Sequence, residues 1–243
     1  FLAECDQHPM SPEVHYVTGR LLFSMSSRRR DQFRAEIGEK HLPNPSEALR
    51  QKMAAYMGDV ERLCRAAFER LAADHPYRPR ALQLVGQACG EAEKNEEARK
   101  VYEQFLELYP KDTEVDRITL ALARTLLDLE KFDDGIKVVK DGIDKFYTSE
   151  QFPFFFEIYW KLVHSKGDLA GMEDCVKRVD TIFPLRLGGT SLKPAERDTY
   201  ERFLGFNGFR NGYTRFARGD FAGAREAFKE HLAAVDSQAE KLQ

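Results

Sequence analysis

Apolar residues recur along this chain at the three-to-four spacing of a buried helix face, not at the alternation of a strand. Ala98, Tyr102 and Leu106 stand at i, i+4 and i+8, and so do Ala224, Phe228 and Leu232. Between such stretches one polar phrase returns. It reads Met57-Gly58-Asp59-Val60, then Glu93-Lys94-Asn95-Glu96-Glu97-Ala98, then Glu130-Lys131-Phe132-Asp133-Asp134-Gly135. It returns as Lys166-Gly167-Asp168-Leu169-Ala170-Gly171-Met172 and as Arg218-Gly219-Asp220-Phe221-Ala222-Gly223-Ala224. Each copy predicts a turn followed by a helix start. Pro43, Pro76, Pro110 and Pro184 fall at spacings of 33, 34 and 74 residues, the last being twice 37, and Tyr147 stands where one proline is missing. Proline at these points predicts that a helix closes there. The chain is a tandem repeat of helices.

This phrase and period resemble the tetratricopeptide repeat, a helix–turn–helix unit of about 34 residues. Aligned to that family, Leu63, Ala98, Gly135, Met172 and Ala224 take the small position of the second helix. Gln51, Gly86, Ala123, Trp160 and Gly212 take the close-contact position of the first. Gly86, Ala123 and Gly212 are small enough for helices to approach. Gln51 and Trp160 depart, so regular pitch is not expected at the first and fourth hairpins. The resemblance covers roughly Asn44 to Asp236 and implies an all-α fold, a right-handed α-solenoid of TPR-like hairpins. Four hairpins are expected over 44–186, a loop insertion and the start of the next helix over 187–199, and a final hairpin with a tail over 200–243.

Residues 1–43 read as a helical N-terminal cap, a degenerate hairpin. Ser11-Pro12-Glu13 supplies an N-cap and a first-turn proline for a helix running to about Met25. A second helix is expected from about Asp31 to just before Pro43. In a solenoid each hairpin buries its apolar face only against its neighbours, so the terminal units must differ.

Composition narrows the function classes. The 243 residues are 42% hydrophobic, enough to bury a substantial core. With 37 basic and 40 acidic residues the net charge is −3, which gives no general attraction to nucleic acid or an anionic membrane. No apolar run approaches the roughly 20 residues of a membrane helix. Cys5, Cys64, Cys89 and Cys175 form no CxxC pair, and the last three fall in helical apolar patterns, which favours a reducing, cytoplasmic compartment. A chain opening on Phe1 is expected to be a processed product or an excised piece. Leu2-Ala3-Glu4-Cys5 resembles a bacterial lipoprotein box except at Glu4, and a periplasmic or envelope location is the alternative.

Catalytic chemistry finds no pattern to rest on. There is no phosphate-binding glycine loop, no GxSxG elbow and no HExxH helix, and His8, His15, His41, His75, His164 and His231 are scattered. Gly188-Gly189-Thr190 reads as a loop. Glu96-Glu97 and Asp133-Asp134 read as solvated helix starts, where carboxylates favour the positive end of the helix dipole. Neither enzymatic activity, nor a metal, nor a cofactor is expected. The cluster Arg28-Arg29-Arg30 with Arg34 is followed at once by Asp31, Glu36 and Glu39, which offset it. In Phe152-Pro153-Phe154-Phe155-Phe156, with Tyr159 and Trp160, there are too many rings for one helix face. Phe154 and Phe155 are therefore candidate contacts for a partner.

The resemblance implies that the first helix of each hairpin lines a concave surface where a partner peptide or helix lies. Its ninth positions are Lys52, Gln87, Arg124, Lys161 and Tyr213; its second positions are Pro45, Arg80, Arg117, Phe154 and Phe206. The cations there contrast with residues 81–150, which hold 10 basic and 16 acidic residues. Acids are thus expected on the convex face and turns, and a cation-leaning groove for an acidic segment or a C-terminal carboxylate. The family's chaperone-tail clamp is absent, since Ala48 and Lys52 stand where it needs a lysine and an asparagine four apart. The expected function is a non-catalytic protein-interaction scaffold. Self-association within a larger assembly is the alternative, and nucleic-acid binding comes third.

Overall fold

The computed structural model describes residues 11–39, 44–189 and 192–241, apart from the side chains of residues 234 and 236–241. Among those residues it consists of eleven α-helices and no strand. The sequence box at Cys5, the helix stop at Pro43, and His8, His41, Thr190 and Ser191 lie outside them. The chain divides into two compact units, residues 1–129 and 130–243.

The first unit holds α1 (Pro12–Ser24), α2 (Ser26–Ile37), α3 (Glu47–Arg70), α4 (Tyr77–Glu91), α5 (Asn95–Leu108) and α6 (Val115–Asp128). Ser11 caps α1 by accepting the Val14 N–H, and Pro12 occupies the first turn, where its missing N–H costs nothing. The second helix starts at Ser26, five residues before the expected Asp31, and ends at Gly38, which takes a left-handed φ of 67°. Both helices pack on α3 far more than on each other. Gly19 lets α1 approach closely, since a β-carbon there would stand 2.5 Å from Cys64 Sγ. Tyr56 Oη donates to Leu22 O at 2.7 Å. Residues 44–76 depart from a hairpin here. Met57-Gly58-Asp59-Val60 is not a turn but the middle of the 24-residue α3, with Met57 and Val60 fully buried.

The second unit holds α7 (Phe132–Lys145), α8 (Phe152–Lys166), α9 (Leu169–Gly188), α10 (Pro194–Ala217) and α11 (Phe221–Lys241). Its core is a ring cluster centred on Phe183, whose centroid lies 5.0–6.4 Å from those of Phe152, Phe156, Tyr200 and Phe203. Pro184 does not close α9 as expected. The helix runs through it to Gly188, with Phe183 wholly buried before the proline and the Leu187 carbonyl accepting from Arg197 after it, at 3.0 Å. The i+8 residues also depart from the expected periodicity. Leu232 is 61% exposed, and Ala224 and Ala227 face inward instead. In α5 the inward series is Ala98, Tyr102 and Phe105, with Leu106 half-buried.

Four of the five repeated phrases do form turns, with a common geometry. Glu93, Glu130, Gly167 and Gly219 all take the left-handed conformation, with φ of 59°, 57°, 73° and 87°. The next N–H returns to the carbonyl five residues back: Lys94 to Cys89, Asp168 to Val163 and Asp220 to Arg215, at 2.8–2.9 Å. This Schellman arrangement satisfies carbonyls that the helix end leaves free. Asp168 and Asp220 then accept the N–H of Gly171 and Gly223, so one turn both ends a helix and caps the next. A cation beside three of these turns reaches back to an acid: Lys94 to Glu61, Lys166 to Asp133 and Arg218 to Glu173.

Candidate functional site

In the first unit the expected groove cations are present, but the acids are not segregated away from them. Lys52 on α3 pairs with Glu36 on α2 at 2.7 Å and lies 5.1 Å from the centre of the Phe33 ring. Arg80 on α4 binds Asp112 at 3.0 Å and Thr113 at 3.2 Å, which ties down the loop before α6. Arg117 is exposed and pairs with Glu114 one turn earlier, at 3.2 Å. Gln87 is half-buried and Arg124 is exposed; no ion pair is seen for Arg124 among the described residues. The expected separation of basic groove from acidic shell is therefore corrected. Glu36, Asp112 and Glu114 meet the cations directly, because long basic side chains on a helix find carboxylates within three or four residues or on the next helix.

The same unit has a cavity of about 530 Å³ lined by Arg30, Arg34, Arg50, Glu91, Leu49 and Met53, among others. Glu91 answers Arg30 at 2.6 Å and Glu47 answers Arg50 at 2.9 Å. Arg30 thus ties α2 to the end of α4, while the Arg50–Glu47 pair lies within α3.

In the second unit α8 and α10, the first helices of successive hairpins, lie side by side and run parallel. Three rungs join them. Phe154 meets Phe203 edge-on at 5.7 Å, the Arg210 guanidinium lies 5.7 Å from the Trp160 ring, and His164 meets Tyr213 at 4.8 Å. Lys161 is exposed on this face and pairs with Glu157 at 2.7 Å. Phe154 and Tyr213 are half-buried, and Phe206 is 58% exposed. Phe155 is wholly buried, packed on Phe146 and filling the space above Gly142, and so leaves the set of partner contacts.

Arg210 is the residue that reading only second and ninth positions overlooks. It is 8% exposed, lies between Trp160 and Phe203, and its Nη1 has no hydrogen-bond partner. Burial lowers its pKa, against the weaker pull of Cys175 and Glu157 in the other direction. The signal was its place four residues after Phe206 and three before Tyr213, on the same helix face.

Among the described residues the thiols of Cys64, Cys89 and Cys175 are buried, which disfavours the thiolate that nucleophilic chemistry requires. Burial pushes Cys64 and Cys175 up to about 12, and Cys89 to about 11 with the Glu61 charge adding to the effect. Among the described residues no group of three His, Cys, Asp or Glu side chains is placed to hold a metal ion. No helix there is long and apolar enough to cross a membrane.

No family model matches the chain, and no curated protein matches it. Solved structures do. A putative kinesin light chain of Podosopora anserina with nearly identical TPR-like repeats superposes with a TM-score of 0.61 at 12% identity, over 96% of this chain and 100% of that one. BtubC from P. vanneervenii gives 0.57 at 16% identity, over 95% and 93%. A MamA double mutant from RS-1 gives 0.54 at 12% identity, over 90% and 96%. The chain has a TPR-like helical-repeat fold.

Proposed function

We propose that this protein is a non-catalytic scaffold that binds another polypeptide along the exposed faces of its first helices. The observation that carries this reading is the side-by-side, parallel placement of α8 and α10, which leaves Lys161, Tyr213 and Phe206 at one surface. A helical repeat buries each hairpin against its neighbours and leaves its first-helix face available for a ligand. Lys52, Arg80, Gln87, Arg117 and Arg124 contribute the corresponding positions in the first unit. Lys52 and Arg80 are the most firmly held there, and Arg124 the least.

The test is a double charge reversal, Arg124→Glu with Lys161→Glu. Both side chains are exposed, so helicity and melting temperature stay near wild type. Partner affinity falls on the order of tenfold, mostly at low salt, because exposed charges are screened. A partner retained at full strength by the double variant overturns the cationic part of the reading.

Self-association is a second reading, and one observation favours it. Phe216, Phe221 and Leu232 are 55%, 64% and 61% exposed near the end of the second unit, more apolar surface than a capped helical array leaves bare.

A further inference from the structure

In the second unit each first helix buries the same three places, five and two residues before its close-contact position and two after it. In α8, counted from Trp160, these are Phe155, Ile158 and Leu162; in α10, counted from Gly212, they are Asn207, Arg210 and Thr214. Three of the six are held directly by the hairpin before. Phe155 stacks on Phe146 at 5.9 Å and fills the space above Gly142 of α7. Asn207 Nδ2 donates to Val176 O and Asp180 Oδ1 of α9 at 3.0 and 2.8 Å, and Arg210 meets Trp160 of α8.

In α1 the same spacing recurs around Gly19, the glycine that lets this helix lie against Cys64. Val14, Val17 and Leu21 take the three places, and Met25 continues their face one turn on. Here they are not buried: Val14, Val17, Leu21 and Met25 are 43%, 46%, 57% and 43% exposed. A helix packed on α3 by one side and apolar on the other has the make-up of one covered on both.

Second helices show the matching contrast. Eight and eleven residues after the small position stand Ile143 and Phe146 for α7, and Asp180 and Phe183 for α9. The next first helix meets them: Phe155 of α8 lies on Phe146, and Tyr200 and Asn207 of α10 meet Phe183 and Asp180. In α11 the same places are Leu232 and Val235, 61% and 44% exposed. Phe221 lies three turns earlier on the side of Leu232, with Phe216 against it at 5.5 Å, and both rings are exposed.

We propose that copies of this chain associate head to tail, the α11 face of one copy covering the α1 face of the next. The inference rests on the self-association reading and names both contacting surfaces. The two exposed faces are the two halves of the junction that α7 makes with α8 and α9 makes with α10, so each supplies what the other lacks. Their eight side chains, each about half exposed, leave on the order of 700 Å² of apolar surface. That is most of the apolar share of a standard interface of about 1,600 Å². The contact is heterologous, so every pair keeps one free face of each kind and growth continues past two copies.

Sedimentation velocity of the full chain over a range of concentrations tests this. Wild type is expected to form dimers and then larger species as concentration rises. Val17→Gln with Leu21→Gln blocks the α1 face, and Phe221→Ser with Leu232→Gln blocks the α11 face. All four side chains are exposed, so both variants are expected to melt near wild type. Each alone is expected to associate at least about tenfold more weakly than wild type. Mixed in equal amounts, they are expected to form a one-to-one pair that stops at two copies, since each still carries the face the other has lost. If either pair of changes lowers the melting temperature, the single changes Leu21→Gln and Leu232→Gln carry the same test.

Loss of association in one variant with wild-type association in the other overturns the proposal, because one face then pairs with its own copy. A mixture that stays monomeric overturns it too. Wild-type association in both variants moves the contact to another surface; self-association then stands without this interface. A wild type that remains monomeric at every concentration sinks both.

Discussion

The Tyr102 ring occupies the space that a side chain on Gly86 would need: a β-carbon there would stand 2.4 Å from Cε1 and 2.8 Å from Cδ1. The same device joins Gly212 to Phe228 and Gly142 to Phe155 in the second unit. Gly86→Ala is accordingly expected to cost about 1–3 kcal/mol by overpacking. Combining it with Tyr102→Leu, which removes the obstructing ring, is expected to cost less than the sum of the two single changes. Urea melts of the four proteins measure the coupling, and strict additivity would mean that Gly86 and Tyr102 do not pack as described.

Glu93 and Glu130 hold left-handed turns that Gly167 and Gly219 hold without strain. An L-residue there costs roughly 1–2 kcal/mol. Glu93→Gly and Glu130→Gly are each expected to raise stability by up to about 1 kcal/mol, since the unfolded chain gains freedom in partial compensation. Gly167→Ala and Gly219→Ala are expected to lower it. Thermal unfolding of the four variants decides the matter, and a destabilised Glu93→Gly would contradict the turn geometry.

The positions of these turns were legible in the sequence, and so were Gly86 and Gly212 as close-contact residues and Ala123 as a buried one. The first phrase misled because Met57-Gly58-Asp59-Val60 has the composition of a turn but the burial pattern of a helix. Met53, Met57, Val60 and Leu63 all face inward, and continuous packing against them outweighs one glycine. Pro184 misled because tertiary contacts flank it, Phe183 buried before it and Arg197 on the Leu187 carbonyl after it, and neither is visible in the local sequence. Ion pairing between elements, as in Arg80 with Asp112 or Lys52 with Glu36, leaves no periodic trace at all. Arg210 shares a helix face with Phe206 and Tyr213 in the sequence, but its burial against Trp160 comes from a neighbouring helix and leaves no local trace.

Gly58 yields a direct check on the continuous α3. A β-carbon there meets nothing within 4 Å. Gly58→Ala is thus expected to stabilise the protein by about 0.5–1 kcal/mol, as for an unobstructed position in a helix interior. Destabilisation would place a turn at that point after all.

Acid is expected to weaken the second unit through Asp174. Burial pushes this carboxyl up, but hydrogen bonds from Tyr159 at 2.7 Å and Arg178 at 3.1 Å, with Lys140 nearby, outweigh it and hold the pKa below 3.8. Glu61 in the first unit behaves alike: burial raises it, while Lys94 and Arg65 bring it below 4.5. A depressed folded-state pKa means stability that is fully present above the unfolded value and lost as pH falls through the folded one. Urea midpoints are expected to hold steady from neutrality to about pH 5 and then decline. Asp174→Asn is expected to show a lower midpoint at neutral pH and a shallower decline below pH 4, whereas a decline as steep as wild type would remove Asp174 from the account.

The central claim is that the exposed first-helix faces bind a polypeptide. The most direct measurement is affinity capture from the source cell by wild-type protein and by Arg124→Glu with Lys161→Glu, with each captured species then titrated in purified form at low and high salt. The account predicts at least one polypeptide that binds wild type saturably and loses about tenfold or more to the double variant at low salt, with the difference shrinking as salt rises. Polypeptides that bind both proteins with equal affinity at every salt concentration would contradict it.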